Sequence, residues 1–204
     1  MPGEERRAAI VSAAVRLFAA RGFRGATTRE LAAAMGVTEP VLYRHFRTKR
    51  DLYDAIIQNK SREGQRKVMS RLEPFLNTRD DRGFFRLLAG IILDQYARNP
   101  EYMRLLLFSA LEGHELAELF YEREVIGFYR CLIDRYIARR MREKAFRRAD
   151  PAVVARGFVG LVAHHGLVRM LFRDRIVKQS RRRLIDELVD IFLKGISNHG
   201  ERVR

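Results

Sequence analysis

Apolar residues recur along this chain at spacings of three and four, and no stretch sustains the alternation of a strand. That period predicts helices throughout. In the first helix Ile10, Ala14, Leu17 and Phe18 fall on one face. Gly22 follows where a helix end calls for a positive φ, with Phe23 placed as the apolar contact of a Schellman cap. Thr27-Thr28-Arg29-Glu30 has the form of a capping box, Thr27 as N-cap and Glu30 at the third helical position. Leu31, Ala32 and Met35 carry a helix of two turns that Gly36 ends. Thr38-Glu39-Pro40 opens another, because proline in the first turn gives up an N–H that has no helical partner there. Val41 to Phe46 complete it, with Leu42 and Phe46 four apart on the inward side. Thr48-Lys49-Arg50-Asp51 then starts a longer helix in which Leu52, Tyr53, Ile56 and Ile57 are apolar.

Five further helices are predicted near 79–98, 100–112, 115–142, 150–174 and 180–198. The breaks fall at Glu73-Pro74, Asn99-Pro100, Glu112-Gly113 and Asp150-Pro151, and at the basic stretch before Ser180. The helix over 150–174 is apolar almost all round, so it needs cover on more than one side, and a second subunit is the natural source. Gly157, Gly160 and Gly166 are placed to let other helices approach it. The last helix carries Ile185, Leu188, Val189, Phe192 and Ile196 on one stripe. The expected fold is all-α, with about nine helices. An N-terminal three-helix unit occupies 4–64 and a larger helical domain 65–204, the boundary falling inside the long helix after Arg50.

Two short helices joined by a glycine turn and braced by a third make a helix-turn-helix, whose second helix enters the major groove of DNA. Thr27-Thr28-Arg29, Leu31-Ala32, Met35-Gly36-Val37, Leu42-Tyr43-Arg44-His45-Phe46 and Lys49 stand in that unit. Preceded by Ala14, Leu17-Phe18 and Gly22-Phe23, this string closely resembles the DNA-binding domain of the TetR repressor family over roughly residues 7–57. The resemblance implies a cytoplasmic, homodimeric regulator. Its middle helices would surround an effector pocket and its last two would pair with their twins. It also implies roles for single residues. Thr28 and Arg29 match positions that touch DNA from the second helix, and Glu39, Pro40 and Val41 stand where the recognition helix enters the groove. Tyr43, His45 and Lys49 match phosphate-gripping positions, and Arg44 one that varies between base and backbone. The residue types fit, since phosphates take cations, hydroxyls and helix N-termini. Glu39 is the exception. It either accepts from a cytosine amine or only favours the helix N-terminus.

Composition adds a polyanionic partner: the net charge is +15, with 12 Lys/Arg against 7 Asp/Glu in residues 1–64 and 28 against 18 beyond. The excess is spread evenly, so it does not locate the binding face. The start of the chain lacks the apolar stretch of a signal peptide, and no unbroken apolar run reaches the ~18 residues of a membrane span. A cytoplasmic protein without membrane contact is expected. The one cysteine, Cys131, excludes a cysteine-cluster metal site. Tyr102, Met103, Phe128, Cys131 and His164 are bulky or polar groups in apolar helices and are the candidates for lining an apolar or aromatic effector site. The basic runs at 139–142 and 181–183 are read as a cationic helix end and a solvated helix start. Phosphate-loop, dinucleotide and serine-nucleophile motifs are absent. His114-Glu115-Leu116-Ala117-Glu118 lacks the second histidine of a zinc protease, and His164-His165 diverge by about 100° on a helix. Neither an enzyme nor a metal or cofactor is expected. The leading reading is a repressor released from a palindromic operator by a small effector. The alternative is a dimeric DNA-binding protein without an effector, controlled by a protein partner.

Overall fold

Eleven α-helices and two π-helical segments carry the described residues, and no strand forms among them beyond an isolated bridge between Phe146 and Ser197. The computed structural model describes residues 3–22, 25–76, 78–173 and 176–197. Phe23, expected to close the first helix, lies outside them. The order is α1 (Gly3–Arg21), α2 (Thr28–Ala34), α3 (Glu39–His45), α4 (Lys49–Leu76), α5 (Asp81–Arg98) and α6 (Pro100–Leu111). There follow α7 (Glu115–Phe120), π1 (Tyr121–Val125), α8 (Ile126–Cys131), π2 (Leu132–Ile137), α9 (Ala138–Arg142), α10 (Pro151–Phe172) and α11 (Arg181–Ile196). The path from 115 to 142 is the single helix expected there, subdivided by wider turns. Counted as one, it brings the helices among the described residues to the expected nine.

These elements form two compact units. The first takes α1–α3, α4 as far as position 65, α6, α7 and π1; the second takes the rest of α4, α5 and everything from α8 onward. Along α4 the units divide at 65 and 66, and residues 99–125 pack with the N-terminal helices. Tyr102, Leu105 and Leu106 of α6 enter the same buried cluster as Ile10, Ala14 and Phe18 of α1 and Ile56 of α4. Periodicity reports which side of a helix is apolar, not which core receives it.

In the first unit the local signals are realised. Gly22 (φ +70°) follows α1 and Gly36 (φ +62°) follows α2, both in the left-handed region that residues with a Cβ avoid. The Thr27 box is complete in both directions. Thr48 and Asp51 make a similar reciprocal pair at the start of α4, at 3.0 and 3.1 Å. Leu52, Tyr53, Ile56 and Ile57 are all buried.

The second unit centres on aromatic rings. Phe84 stacks on Tyr136 with centroids 3.6 Å apart, and Phe85 packs against Phe158 and Phe192 at 4.7 and 4.9 Å. The expected break at Glu73-Pro74 is not there, and α4 runs on to Leu76. Pro74 lies in the final turn and forfeits one backbone bond, while Leu72 and Leu76 on either side of it are buried. Asp150 caps α10, accepting from the Ala152 N–H at 2.7 Å, and Ser180 caps α11. Gly166 lets α10 approach α5, since a Cβ there would lie 2.5 Å from Tyr96 Cδ2; Gly157 and Gly160 face open space.

Two basic runs are more deeply engaged than their sequence suggested. Arg140 is 6% exposed and spans both carboxylate oxygens of Asp81, from Nε at 2.8 Å and a terminal nitrogen at 2.7 Å. Arg181 binds Asp94 and the Gly90 carbonyl, each at 2.8 Å. With Arg86–Asp186 at 2.8 Å and Arg82–Asp190, it forms a ladder between α5 and α11. By length and composition α10 is apolar enough to cross a membrane. Arg156, His164, His165 and Arg169 interrupt it, which is why no unbroken run shows in the sequence. One side of α10 buries Val154, Phe158 and Val162, while Val153, Leu171 and Phe172 stay exposed.

Candidate nucleic-acid interface

The candidate recognition element is α3, seven residues long, held by two side chains. Leu42 and Phe46 are 2% and 3% exposed and fix its inward side, as their spacing predicts. The outward positions follow: Pro40, Tyr43 and Arg44 are exposed, Val41 and His45 half-buried. Proline in the first turn and the Thr38 N-cap start the helix, although the Thr38 side chain makes no capping bond.

The base of α2 gathers several of the expected contacts. The Thr28 hydroxyl donates to Glu39 Oε2 at 3.0 Å. Glu39 thereby ties the first turn of α3 to the first turn of α2, a role the sequence reading did not assign. Lys49 Nζ donates to the Ala26 carbonyl at 3.1 Å, bringing the start of α4 to the same turn. Glu30 accepts the Thr27 N–H at 3.0 Å and pairs with Arg21. The Thr27 backbone and hydroxyl bonds, then Arg21, hold its carboxyl below the ordinary 4.5. Arg29 projects from α2, exposed. Thr28, Arg29, Glu39, Pro40, Val41, Tyr43, Arg44, His45 and Lys49 thus all fall on α2, α3 or the start of α4. Arg7 of α1 was missed: one of its terminal nitrogens donates to the His45 carbonyl at 3.4 Å, and its guanidinium lies 4.6 Å from the Phe46 ring centroid. Nothing in the local pattern of α1 announces a contact 38 residues away.

Behind this face Tyr53 is buried between Phe18 and His114, at 5.3 and 5.1 Å. Burial first, then the carboxylates of Glu112 and Glu115, push its phenol well above the ordinary value. His114 caps α7, its Nδ1 accepting the Leu116 N–H at 3.1 Å. The zinc-like pentad is therefore a helix cap, and no metal-binding group of three or more ligands occurs among the described residues.

The effector candidates are divided between the two units. Tyr102 is buried and Met103 half-buried in the first unit, where Tyr102 meets Phe120 at 6.2 Å. Phe128 and Cys131 line a cavity of about 10 Å³ in the second unit with Leu72, Phe84 and Tyr136. His164 is exposed on α10. A cavity of that size is roughly the space of one water molecule.

Residues 10–56 match the family described as bacterial regulatory proteins, tetR family, and residues 95–195 match the C-terminal domain of AefR-like transcriptional repressors. The nucleoid occlusion factor SlmA of Marinobacter nauticus is 32% identical over 157 residues, 73% of this chain and 78% of that protein. The HTH-type transcriptional activator FasR of Mycolicibacterium smegmatis is 32% identical over 106 residues, 52% of this chain and 47% of FasR. The chain thus matches less than half of FasR's length. Among solved structures, AibR in complex with isovaleryl coenzyme A and operator DNA superposes with a TM-score of 0.71 at 23% identity, covering 91% of this chain and 97% of that one. A TetR-family regulator from Mesorhizobium loti gives 0.70 at 18%, covering 97% and 99%. At these identities the superpositions speak for the fold.

Proposed function

Since the chain belongs to the tetR family of bacterial regulatory proteins, and so is a DNA-binding transcriptional regulator, we propose that it is a dimeric repressor of a palindromic operator. The carrying observation is α3, whose inner residues are locked in a core while Pro40, Tyr43 and Arg44 stand in solvent. In this reading Pro40 and Val41 enter the major groove and Arg29 and Arg44 reach base edges or phosphates. Thr28, Tyr43, His45 and Lys49 hold the backbone. Glu39 acts through Thr28, positioning the two helices. The exposed apolar residues Val153, Leu171 and Phe172 of α10 and Ile191 of α11 suit a two-fold interface. Half-sites one turn of B-DNA apart, about 34–36 Å, or a multiple of that turn, suit such a dimer. The test is selection from random duplexes with the parent and Arg29→Ala. Parent sites should be palindromic, and the variant should lose preference at one base pair in each half. Asymmetric parent sites refute the dimeric reading, and unchanged preferences remove Arg29 from base reading.

For release, the primary reading is a small apolar or aromatic effector, for which Tyr102, Met103, Phe128, Cys131 and His164 are the candidate contacts. The tight packing beside Phe128 and Cys131 favours a second reading, in which a protein partner exerts control and no small effector exists. A relative named as a nucleoid occlusion factor also supports that second reading. A thermal-shift panel of metabolites separates the two, because a ligand of the native state raises apparent stability by mass action. A ligand that also weakens operator binding supports release, and a panel without hits supports the partner.

A further inference from the structure

A polar cleft of about 350 Å³ opens in the first unit between the start of α1, the end of α3 and the first turns of α4. Arg7, Arg44, His45, Arg47, Asp51 and Asp54 line it. The geometry points to a phosphate-binding site in this cleft, built by Arg7, Arg44 and Arg47 and taking a DNA backbone phosphate at the C-terminal end of the recognition helix. The inference rests on the DNA-binding reading above and extends it to residues outside the helix-turn-helix string.

Three observations carry it. Arg44 and Arg47 are exposed, and among the described residues neither makes a hydrogen bond or ion pair. Their charge is therefore available to an outside anion. Arg7 is fixed in place by Phe46 and by the last carbonyl of α3. A helix C-terminus bears partial negative charge that repels phosphate, and a guanidinium on that carbonyl offsets it. Of the two carboxylates in the cleft, Asp51 already accepts the Thr48 N–H at 3.0 Å, and Asp54 is half-buried. His45 is half-buried with its carbonyl toward Arg7.

The dimensions agree with DNA. A helix of seven residues is roughly 10 Å long, and the major groove is about 12 Å wide. When the start of α3 meets base edges, its far end comes to the strand that borders the groove. The loop residue Arg47 then stands beside a phosphate, not a base. A contact of this kind adds affinity and fixes register without adding sequence preference.

The test is binding of the full chain to a labelled random-sequence duplex across a salt series. The variants are Arg47→Gln, Arg7→Gln and Arg7→Lys, with Arg182→Gln on α11 as a control for net charge. Each lost phosphate contact should lower the slope of log affinity against log salt by about 0.9. Across a fourfold salt range, the affinity lost by that variant then shrinks about 3.5-fold. Arg47→Gln and Arg7→Gln should show this drop, while Arg7→Lys and Arg182→Gln keep the parental slope. Helical circular dichroism of each variant shows that α3 is still held. A parent that binds, together with an unchanged slope in both glutamine variants, overturns the cleft and leaves the DNA reading standing. An equal drop in Arg182→Gln also overturns it, since the effect is then net charge. A parent without salt-dependent binding overturns the DNA reading and the cleft together.

Discussion

Replacing Arg140 by alanine is expected to cost about 3 kcal/mol of folding stability, the lower end of the range for breaking a buried ion pair. The figure follows from what is left behind. Arg140 gives two nitrogens to Asp81 and a third to Glu143, and its guanidinium lies 5.8 Å from the Phe146 ring centroid. Without it, Asp81 keeps one described side-chain donor, the Tyr136 hydroxyl at 2.8 Å. The Asp81 side chain is 19% exposed, so water partly solvates the orphaned carboxylate, which is why the lower end applies. The Asp81 hydrogen bond, against the opposing effect of burial, keeps the Arg140 guanidinium above its ordinary value, so the arginine stays charged at every pH where the protein folds. For a chain of this size the loss corresponds to a fall in melting temperature of about 6–12 °C. Urea unfolding at one fixed protein concentration measures it, because dimer stability depends on concentration. The double replacement Asp81→Leu with Arg140→Met removes both charges and should recover most of the loss. About 1 kcal/mol remains for the Tyr136 hydroxyl left without its acceptor. If the double variant is as unstable as the two singles summed, the residues do not interact and the reasoning fails.

Gly36→Ala should cost about 1–2 kcal/mol from backbone strain alone, since its φ is +62° and an added Cβ meets nothing within 4 Å. Gly22→Ala should cost a similar amount, because its φ of +70° is strained in the same way and the Glu112 carboxylate that its Cβ meets is the movable end of a side chain; a much larger loss in urea unfolding would contradict that. Stability should fall in acid through Glu30 and Glu143, both held below 4.5, the latter first by its hydrogen bond to Arg140. Their contribution is complete above about pH 4.5 and is lost as pH drops through the lowered folded-state values. Urea midpoints from pH 7 to 3 should decline less steeply below 4.5 in Glu30→Gln and Glu143→Gln, and parallel curves would dismiss both carboxylates. Lys49→Ala should reduce the salt slope of DNA binding by about one unit on specific and random duplexes alike. An unchanged slope would remove Lys49 from the DNA interface.

Features set within a few residues were legible in the sequence. The Thr27–Glu30 box, the glycines at 22 and 36 and the inward pair Leu42 and Phe46 are local chemistry, and each stands where its pattern predicts. Features set across the chain were not. Asp81 and Arg140 are 59 positions apart, and either alone reads as a solvated charge at a helix end. Arg7 and His45 are separated by 38. Tyr102 and Met103 pack with α1, a contact that the pattern within α6 does not announce. The two π turns have no periodic signature, since they change the path of the backbone without changing which residues are apolar. The predicted DNA face therefore came from motif and spacing, whereas the predicted effector set mixed residues of two different cores.

The ladder between α5 and α11 sets a limit on how this chain tolerates changes of length. Positions 82, 86 and 94 of one helix meet 190, 186 and 181 of the other, so the numbering rises on one side as it falls on the other. Each pair depends on every residue between it and the next. One codon inserted or deleted between Arg86 and Asp94 turns everything beyond it by about 100°. Asp94 would then face away from Arg181 while Arg82 and Arg86 kept their partners. The aromatic layer beneath would be split at the same point, because Phe84 and Phe85 stand before the change and the Tyr96 that packs on Gly166 stands after it. Segments between helices bear no such count. Length variation among descendants of this gene should accordingly collect before α5 and between α10 and α11, and be purged from within the paired helices.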